Sequence, residues 1–393
     1  MDTILTRAQG MAAQLVAWRR ALHAQPELSW QESATATLLA RELKSMGLPV
    51  REGVGGGHGL VADLETGQPG PRILLRADMD ALPLQEATGQ PFASLHPGVM
   101  HACGHDAHMT CLLGAARLLT QDAERLRGAV RFVFQPAEEV PPGGALGMIE
   151  GGVLEGVQAA AALHVYPALP VGQVGFRPGA ILAYSNRFVI RIQGTGGHAA
   201  KPHLAVDALA TAVQVYQGLQ YLVSRENDPL HPFVITIGRI QGGSVANVIA
   251  DQVELEGTVR CLDAQVAQAV PERIQRVAQG ICQSTRATCH ITFQTGYPAL
   301  INDPALTAQA AASARKVLGS QAVVDLPHPE MGGEDFAFFA QRVPAVFFRL
   351  GVSNPASGKT NPLHHPAFDL DEGALPVGTA VLVQIAQDWL ERF

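Results

Sequence analysis

The residues most able to do chemistry are concentrated at positions 100–108, where the sequence reads MHACGHDAH. A buried histidine or thiolate without a partner is costly, because it leaves water without replacing its hydration. Metal coordination explains such a cluster well, since Cys103 and His105 place a soft thiolate and an imidazole two residues apart. One Cys-x-His pair is weak evidence. The prediction of a metal site therefore depends on further ligands at the ends of strands.

The length of the chain is enough for two domains, and its composition is that of a globular enzyme. Of the 393 residues, 47% are hydrophobic and 16% are charged, which excludes a disordered chain. The formal net charge is −7, and the sequence contains no run rich in Lys and Arg. We therefore expect no nucleic-acid partner.

We also expect a cytoplasmic protein that does not bind membranes. The first twenty residues lack the charged, apolar and cleavage regions of a signal peptide. The longest uncharged stretch, 156–176, is interrupted by Gly, Pro, Gln and His, which argues against a membrane span. The five cysteines show no pairing pattern and are expected to be reduced thiols.

Hydrophobic periodicity predicts an α/β domain in the first part of the chain. One continuous apolar stripe, from Ala8 to Leu22, predicts a single helix that ends before Pro26. Short apolar runs then alternate with helical patterns. The sequence predicts helices at 33–46, about 107–119 and near Leu146, and strands at 73–75, 130–134 and 159–165. This alternation indicates a mostly parallel sheet covered by helices on both faces.

From residue 184 the pattern becomes that of an α+β domain. Strands at 188–192, 233–240, 253–261 and 289–293, with helices at 206–220 and 266–281, give the order β-α-β-β-α-β of a ferredoxin-like unit. The α/β pattern then resumes with a helix at 304–317, a strand at 345–350 and a helix from about 371. We predict a catalytic α/β domain built from 1–183 and 298–393, with a ferredoxin-like domain at 184–297 inserted into it.

Further polar residues follow the predicted strands. Asp78 and Asp80 come after the strand at 73–75, Glu138 and Glu139 after the strand at 130–134, and His164 closes the next strand. Because the carboxyl ends of strands form the ligand crevice of open α/β sheets, we expect these groups to converge with Cys103 and His105. Of two adjacent glutamates, one can bind metal while the other acts as general base on a water.

Eight motifs, in order along nearly the whole chain, closely resemble the aminoacylase and hippurate-hydrolase branch of the dinuclear metallopeptidase superfamily, which includes the auxin-conjugate amidohydrolases of plants. The motifs are RADMDALPLQE at 76–86, MHACGHDAH at 100–108, QPAEE at 135–139, HVYP at 164–167, GGHAAKPH at 196–203, NVI at 247–249, GGEDF at 332–336 and LHHPAFDLDE at 363–372. The resemblance implies a two-domain fold and a metal-dependent amidohydrolase.

The resemblance also implies roles for individual residues. Glu138 would be the general base, Asp80 would orient a ligand, and His198 would stabilise the oxyanion, reaching the partner subunit's site in a homodimer. Asn247 would hold the carboxylate or carbonyl of the substrate. The implied metal ligands are Cys103, His105, Glu139, His164 and His364. Ala250 departs from the Pro that relatives usually carry, and Asp78 replaces a His ligand of other branches, so we do not count it as a ligand.

The sequence therefore predicts an enzyme that cleaves the amide bond of N-acyl amino acids with a metal-activated water. The resemblance implies two divalent metal ions per subunit, with zinc favoured and manganese, cobalt or nickel as alternatives. A dipeptidase or carboxypeptidase of the same superfamily, or an inactive binding homologue, is the alternative. The partners would be a small-molecule substrate and a second copy, bound through the inserted domain.

The other histidines and cysteines are given lesser roles. His101 and His108 are interpreted either as residues that orient ligands or as polar loop residues. Six other histidines are predicted to lie at the surface or in turns, namely His23, His58, His96, His231, His290 and His328. Four cysteines are predicted to be small buried hydrophobic residues, namely Cys111, Cys261, Cys282 and Cys289.

Overall fold

A computed structural model describes residues 3–392 and divides into two compact units. Unit 2 comprises Leu182–Leu300 and Glu330–Glu334, and unit 1 comprises Ile301–Pro329 and the described residues before 182 and after 334. The helices are α1 (Ile4–Gly10), α2 (Ala12–Ala24), α3 (Ser33–Ser45), α4 (His105–Gln121), α5 (Ala145–Glu150), α6 (Ala208–Tyr221), α7 (Ala264–Ser284), α8 (Pro304–Leu318), α9 (Ala337–Ala340) and α10 (Ala374–Leu390). None of the described helices has the length and apolar character that a membrane crossing needs.

Sixteen strands form the sheets of the described chain. They are β1 (Val50–Val54), β2 (Gly59–Glu65), β3 (Arg72–Asp78), β4 (Ala129–Gln135), β5 (Val157–Pro170), β6 (Val174–Phe176), β7 (Gly179–Leu182), β8 (Tyr184–Gln193), β9 (Gly197–His198), β10 (Phe233–Gly242), β11 (Val248–Ile249), β12 (Gln252–Cys261), β13 (Thr288–Tyr297), β14 (Leu300–Asn302), β15 (Val323–Asp325) and β16 (Ala345–Ser353).

Unit 1 contains a mostly parallel sheet of eight strands in the order β1-β2-β4-β3-β5-β16-β6-β15. Its central pairs, β4 with β3, β3 with β5 and β5 with β16, are parallel, and the antiparallel pairs involve β1, β2 and β6. The central strands β3, β4 and β16 are mostly apolar and almost entirely buried, as expected for a sheet covered by helices. The predicted fold class is confirmed, including the helical cover of the sheet.

The N-terminal prediction of one helix is wrong in detail. The chain forms α1 and α2, separated at Met11, whose φ of −95° and ψ of 3° leave the helical region. Gly10, a poor helix former, directly precedes this break. The apolar stripe continues across both helices, which is why periodicity alone did not reveal the interruption.

Unit 2 has the predicted β-α-β-β-α-β order. Its antiparallel sheet has the strand order β10-β12-β8-β13, and α6 and α7 lie between strands along the chain. Asp207 and Asp263 cap the N-termini of α6 and α7, because their carboxylates accept two backbone N–H groups each. Apolar residues of both helices and the sheet form one core.

Candidate metal centre

Five candidate donors from separate parts of unit 1 meet at the carboxyl end of its parallel strands. Cys103 Sγ lies 3.5 Å from His164 Nε2 and 3.3 Å from His364 Nε2. Glu139 Oε1 lies 3.5 Å from His364 Nε2 and 3.9 Å from His105 Nε2. Cys103 forms one three-donor set with His105 and His164 and a second with Glu139 and His364. Two adjacent sets that share a thiol are an arrangement suited to a dinuclear site.

Local backbone geometry positions these donors. Gly104 has a φ of 82°, and a Cβ there would lie only 2.4 Å from Val165 Cγ2, so glycine is needed between Cys103 and His105. His105 is then the first residue of α4. His364 also has a positive φ, 62°, and its N–H donates to the carbonyl of Ala102 at 2.8 Å. This bond ties the loop of His364 to the segment that carries Cys103.

The donor set fits a divalent metal ion. Nε2 of His105 and Oε1 of Glu139 are buried and have no hydrogen-bond partner among the described residues. Buried polar atoms are normally paired, so these two atoms indicate a ligand. A thiolate, imidazoles and a carboxylate are the donors that zinc and other first-row transition metals bind.

The electrostatics of the cluster also favour a cation. Burial lowers the pKa of His105, but Asp78, Asp80 and Glu139 outweigh it and raise that pKa to about 10. Burial and the Glu139 carboxylate hold the pKa of the Cys103 thiol well above its usual range. Acidic groups thus dominate the cluster, and a bound cation would neutralise them and stabilise the thiolate.

His164 and His108 both bind the backbone of Val165, one at its carbonyl and the other at its N–H. His164 Nδ1 donates to the carbonyl of Val165 at 2.8 Å, which directs Nε2 toward Cys103. His108 Nε2 accepts the N–H of Val165 at 2.9 Å, and its Nδ1 donates to Asp78 Oδ1 at 2.6 Å. Both nitrogens of His108 are therefore used in hydrogen bonds. His108 is a residue that orients His164, one of the two interpretations left open by the sequence.

Arg76 holds Asp78 in place beneath the cluster. Its guanidinium donates to Asp78 Oδ2 at 2.8 Å and to Asp335 Oδ1 at 2.9 Å, and all three side chains are buried. Burial raises the pKa of Asp78, but His105, His108 and Arg76 outweigh it and lower that pKa well below its usual value. Asp78 is therefore an ionised anchor for His108.

Asp80 connects His105 to the loop that carries Glu138 and Glu139. Its Oδ1 accepts the N–H of Glu138 at 3.0 Å and lies 3.4 Å from His105 Nδ1. Its Oδ2 accepts the N–H of Glu139 at 2.9 Å and the hydroxyl of Ser29 at 2.7 Å. The structure thus places Asp80 where it contacts a candidate ligand. Glu138 is buried, and its carboxylate forms one possible donor group with the His105 imidazole and the Glu139 carboxylate.

His198 and Asn247 lie together in unit 2. His198 in β9 pairs with Val248 in β11, and the carbonyl of Asn247 accepts the N–H of Ala199 at 3.1 Å. His198 Nδ1 accepts the N–H of Ala200 at 3.0 Å, so the neutral ring carries its proton on Nε2. Both side chains are exposed on this unit.

The sequence-based assignment of His23 to the surface or a turn is wrong. His23 is buried in α2, where Nδ1 lies 2.8 Å from Asp106 Oδ2 and Nε2 lies 3.2 Å from Glu86 Oε1. Arg19, one turn earlier, donates to the same Asp106 oxygen at 2.8 Å. The signal that the sequence offered for this buried position was two polar residues, Arg19 and His23, spaced by four beside the apolar stripe of α2. They anchor the residue that follows His105 in α4.

Comparison with known proteins places these observations in a family. The chain matches the sequence profile of peptidase family M20/M25/M40 over residues 74–388. It is 43% identical to the N-acetylcysteine deacetylase of Bacillus subtilis over 96% of this chain and 97% of that protein. It is 39% identical to thermostable carboxypeptidase 2 of Saccharolobus solfataricus, over 92% and 91% of the two chains. The crystal structure of the Bacillus subtilis YXEP protein, a dinuclear metal binding peptidase of the M20 family, superposes with a TM-score of 0.85 at 38% identity, covering 98% of this chain and 100% of that one.

Proposed function

This chain belongs to peptidase family M20/M25/M40 and is a metal-dependent amidohydrolase, and we propose that it cleaves the amide bond of N-acyl amino acids. One observation carries the proposal: the buried carboxylate of Glu138 directly precedes Glu139 in a loop whose backbone is fixed beside a two-metal donor set. The relative named N-acetylcysteine deacetylase supports an N-acyl amino acid as substrate.

Five side chains would hold the metal ions, namely Cys103, His105, Glu139, His164 and His364. When bound, divalent metals supply Lewis acidity, which lowers the pKa of water and polarises the scissile carbonyl. The thiol and imidazoles favour zinc, with manganese, cobalt or nickel as alternatives.

Glu138 would act as general base and then as general acid. Its carboxylate accepts a proton from the attacking water, and the resulting carboxylic acid donates that proton to the amine that leaves. Such a shuttle requires the carboxylate to lie near the metal ligands without being one of them. The adjacent Glu139 supplies the ligand instead, and Asp80 fixes the peptide groups of both residues.

His198 would donate a hydrogen bond to the developing oxyanion. Because its Nδ1 accepts the N–H of Ala200, the remaining Nε2–H is a donor in the neutral ring, as this role requires. Asn247, beside it in the β9–β11 pair, would bind the carboxylate or carbonyl of the substrate.

A carboxypeptidase activity is the second candidate, because relatives named thermostable carboxypeptidase match over most of this chain. Both reactions release an amino acid with a free carboxylate and differ in the acyl side. We would measure kcat/KM for N-acetyl and N-benzoyl amino acids against dipeptides and N-blocked dipeptides. Higher values for the simple acyl substrates support the proposal, and higher values for the peptides refute it.

The base assignment is tested with two adjacent variants. Glu138→Gln should lower kcat by roughly 10²- to 10⁴-fold, while its metal content stays at the wild-type level. Glu139→Gln, the matched variant one residue away, should instead lose metal by elemental analysis. Wild-type turnover in Glu138→Gln would refute the assignment of the base.

We infer a homodimer formed through unit 2. Leu209, Val213 and Tyr216 share one face of α6 and remain 45%, 49% and 39% exposed. β10, at the edge of its sheet, also exposes Val234 and Ile240. Sedimentation velocity should show a dimer for the wild type and a monomer for Val213→Lys.

Mixing two inactive variants tests whether His198 acts in the partner's site. His198→Ala mixed with Glu138→Ala should regain activity, because a mixed dimer then contains one intact site. Mixed dimers without recovered activity would show that His198 serves its own subunit.

A further inference from the structure

The short segment between α2 and α3 has no part in the proposed chemistry. It nevertheless contacts the base loop, which comprises residues 136–139 after β4 and contains Glu138. The segment covers residues 27–32 and reads ELSWQE. Its Leu28 forms a bridge with Ala81, and the carbonyl of Glu27 accepts the N–H of Ala81 at 2.8 Å. Ala81 directly follows Asp80. The segment is thus fixed to the strand end that carries Asp80.

Three consecutive peptide N–H groups of the base loop donate hydrogen bonds to carboxylate oxygens. The N–H of Ala137 donates to Glu32 Oε1 at 2.8 Å. The N–H groups of Glu138 and Glu139 donate to the two oxygens of Asp80 at 3.0 and 2.9 Å. Two buried carboxylates therefore define the path of the backbone through the base and its neighbouring ligand.

This path has a conformation that a residue with a side chain rarely adopts. Ala137 has a φ of 54°, in the left-handed region, where an L residue other than glycine is strained. Such a conformation persists only where its surroundings hold it. Of the side chains described here, that of Glu32 accepts the N–H of this residue, and Glu32 is fully buried.

We propose that Glu32 is a positioning residue for Glu138: it holds the strained Ala137 peptide and thereby aims the base. Ser29 assists from the same segment, because its hydroxyl donates to Asp80 Oδ2 at 2.7 Å. The inference rests on the proposed role of Glu138. With this role for Glu32, the segment at 27–32 is one of the parts of the chain that determine turnover.

The neighbouring Glu27 shows what a purely structural role looks like in this segment. Its carboxylate accepts the N–H groups of Ala34 and Thr35 at 3.0 and 2.8 Å, at the start of α3. None of its side-chain hydrogen bonds reaches the base loop. Glu27→Ala is therefore a matched control, since it weakens the same region without touching Ala137.

The test uses the metal-loaded enzyme and a pair of Glu32 variants. Glu32→Met keeps the approximate volume but has no acceptor for the Ala137 N–H, whereas Glu32→Gln keeps an acceptor oxygen. We expect Glu32→Met to lower kcat by about 10- to 100-fold, because small misplacements of a catalytic group have effects of this size. KM and metal content should stay at wild-type values. Glu32→Gln and Glu27→Ala should keep kcat within about threefold of the wild type.

A double-mutant cycle separates aiming the base from general stability. If Glu32 acts through Glu138, Glu32→Met should not lower the residual rate of Glu138→Gln any further. An equal fold-loss in both backgrounds would overturn the inference, as would wild-type kcat in Glu32→Met. Should Glu32→Met fail to fold, Ser29→Ala takes its place in the cycle, and additive losses there would equally refute the coupling. Activity retained by Glu138→Gln would refute the proposed function instead, so the two failures are distinguishable.

Discussion

Replacing Glu32 with Gln should change how the stability of unit 1 depends on pH. Burial of this carboxyl, with a smaller contribution from the nearby Asp80, raises the pKa of Glu32 from 4.5 to about 7. Below pH 4.5 the group is protonated in both folded and unfolded chains and contributes no pH dependence. As the pH rises to about 7, the unfolded chain loses its proton first, so the free energy of unfolding falls.

The pKa difference sets the size of the effect. It corresponds to about 3 kcal/mol of stability lost by the wild type between pH 4.5 and values above 7. Gln cannot ionise, so Glu32→Gln avoids this loss. Its free energy of unfolding relative to wild type should therefore rise by about 3 kcal/mol across that window. Burying the Gln amide also changes the free energy of unfolding, but by an amount that does not vary with pH and so does not affect this difference.

Urea denaturation at several pH values, with a chelator present, measures this difference. Trp18, Trp30 and Trp389, the only three tryptophans, all belong to unit 1, so their fluorescence reports the unit that contains Glu32. Glu124→Gln, at an exposed carboxyl of the same unit, controls for the loss of one acid. A difference between Glu32→Gln and wild type that stays constant from pH 4.5 to 8 would refute the reasoning.

Two further predictions concern the metal centre. His108→Phe should weaken metal binding by about 10- to 100-fold, measured by competition with a chromogenic chelator, because it removes the bond that fixes the Val165 peptide beside His164; unchanged affinity would contradict this role. Cys103→Ser should lower the metal content in zinc-containing buffer and shift the preference toward manganese, because a hydroxyl is a harder donor than a thiolate; unchanged zinc content in elemental analysis would argue against ligation by Cys103.

The candidate donors could be proposed from the sequence because their signal is chemical. Cys103, His105, Glu139 and His164 are residue types that bind metals and that follow predicted strands or open a predicted helix, where side chains converge. The parallel strands between them contain short, mostly apolar runs, which are recognisable without long-range information. The preference for His364 over His365 came from the family resemblance, and the structure places His364 Nε2 3.3 Å from Cys103 Sγ, whereas His365 Nδ1 accepts the N–H of Ala367.

The supporting residues could not be predicted in the same way. Glu32 meets Ala137 across 105 positions of sequence, and Arg19 meets Asp106 across 87. In the sequence Glu32 resembles any acidic residue near the start of a helix. Its burial depends on how α3 packs near the base loop, which local patterns do not encode. The same holds for His23, whose partners Glu86 and Asp106 belong to distant segments.

The adjacency of Glu138 and Glu139 explains why this support is needed. Because one residue is the proposed base and the next a proposed ligand, a shift of their shared peptide would misplace both functions at once. Strand pairing does not hold the peptide groups of Glu138 and Glu139, since β4 ends at Gln135, before the loop. The loop N–H groups therefore need acceptors from elsewhere, and Asp80 and Glu32 supply them in succession. Asp80 also lies beside His105, so a single carboxylate relates the position of a ligand to that of the base. The Glu32 side chain accepts the N–H of Ala137, before the base, and no hydrogen bond described for it reaches a proposed metal ligand, which is why its loss should lower turnover while metal binding persists.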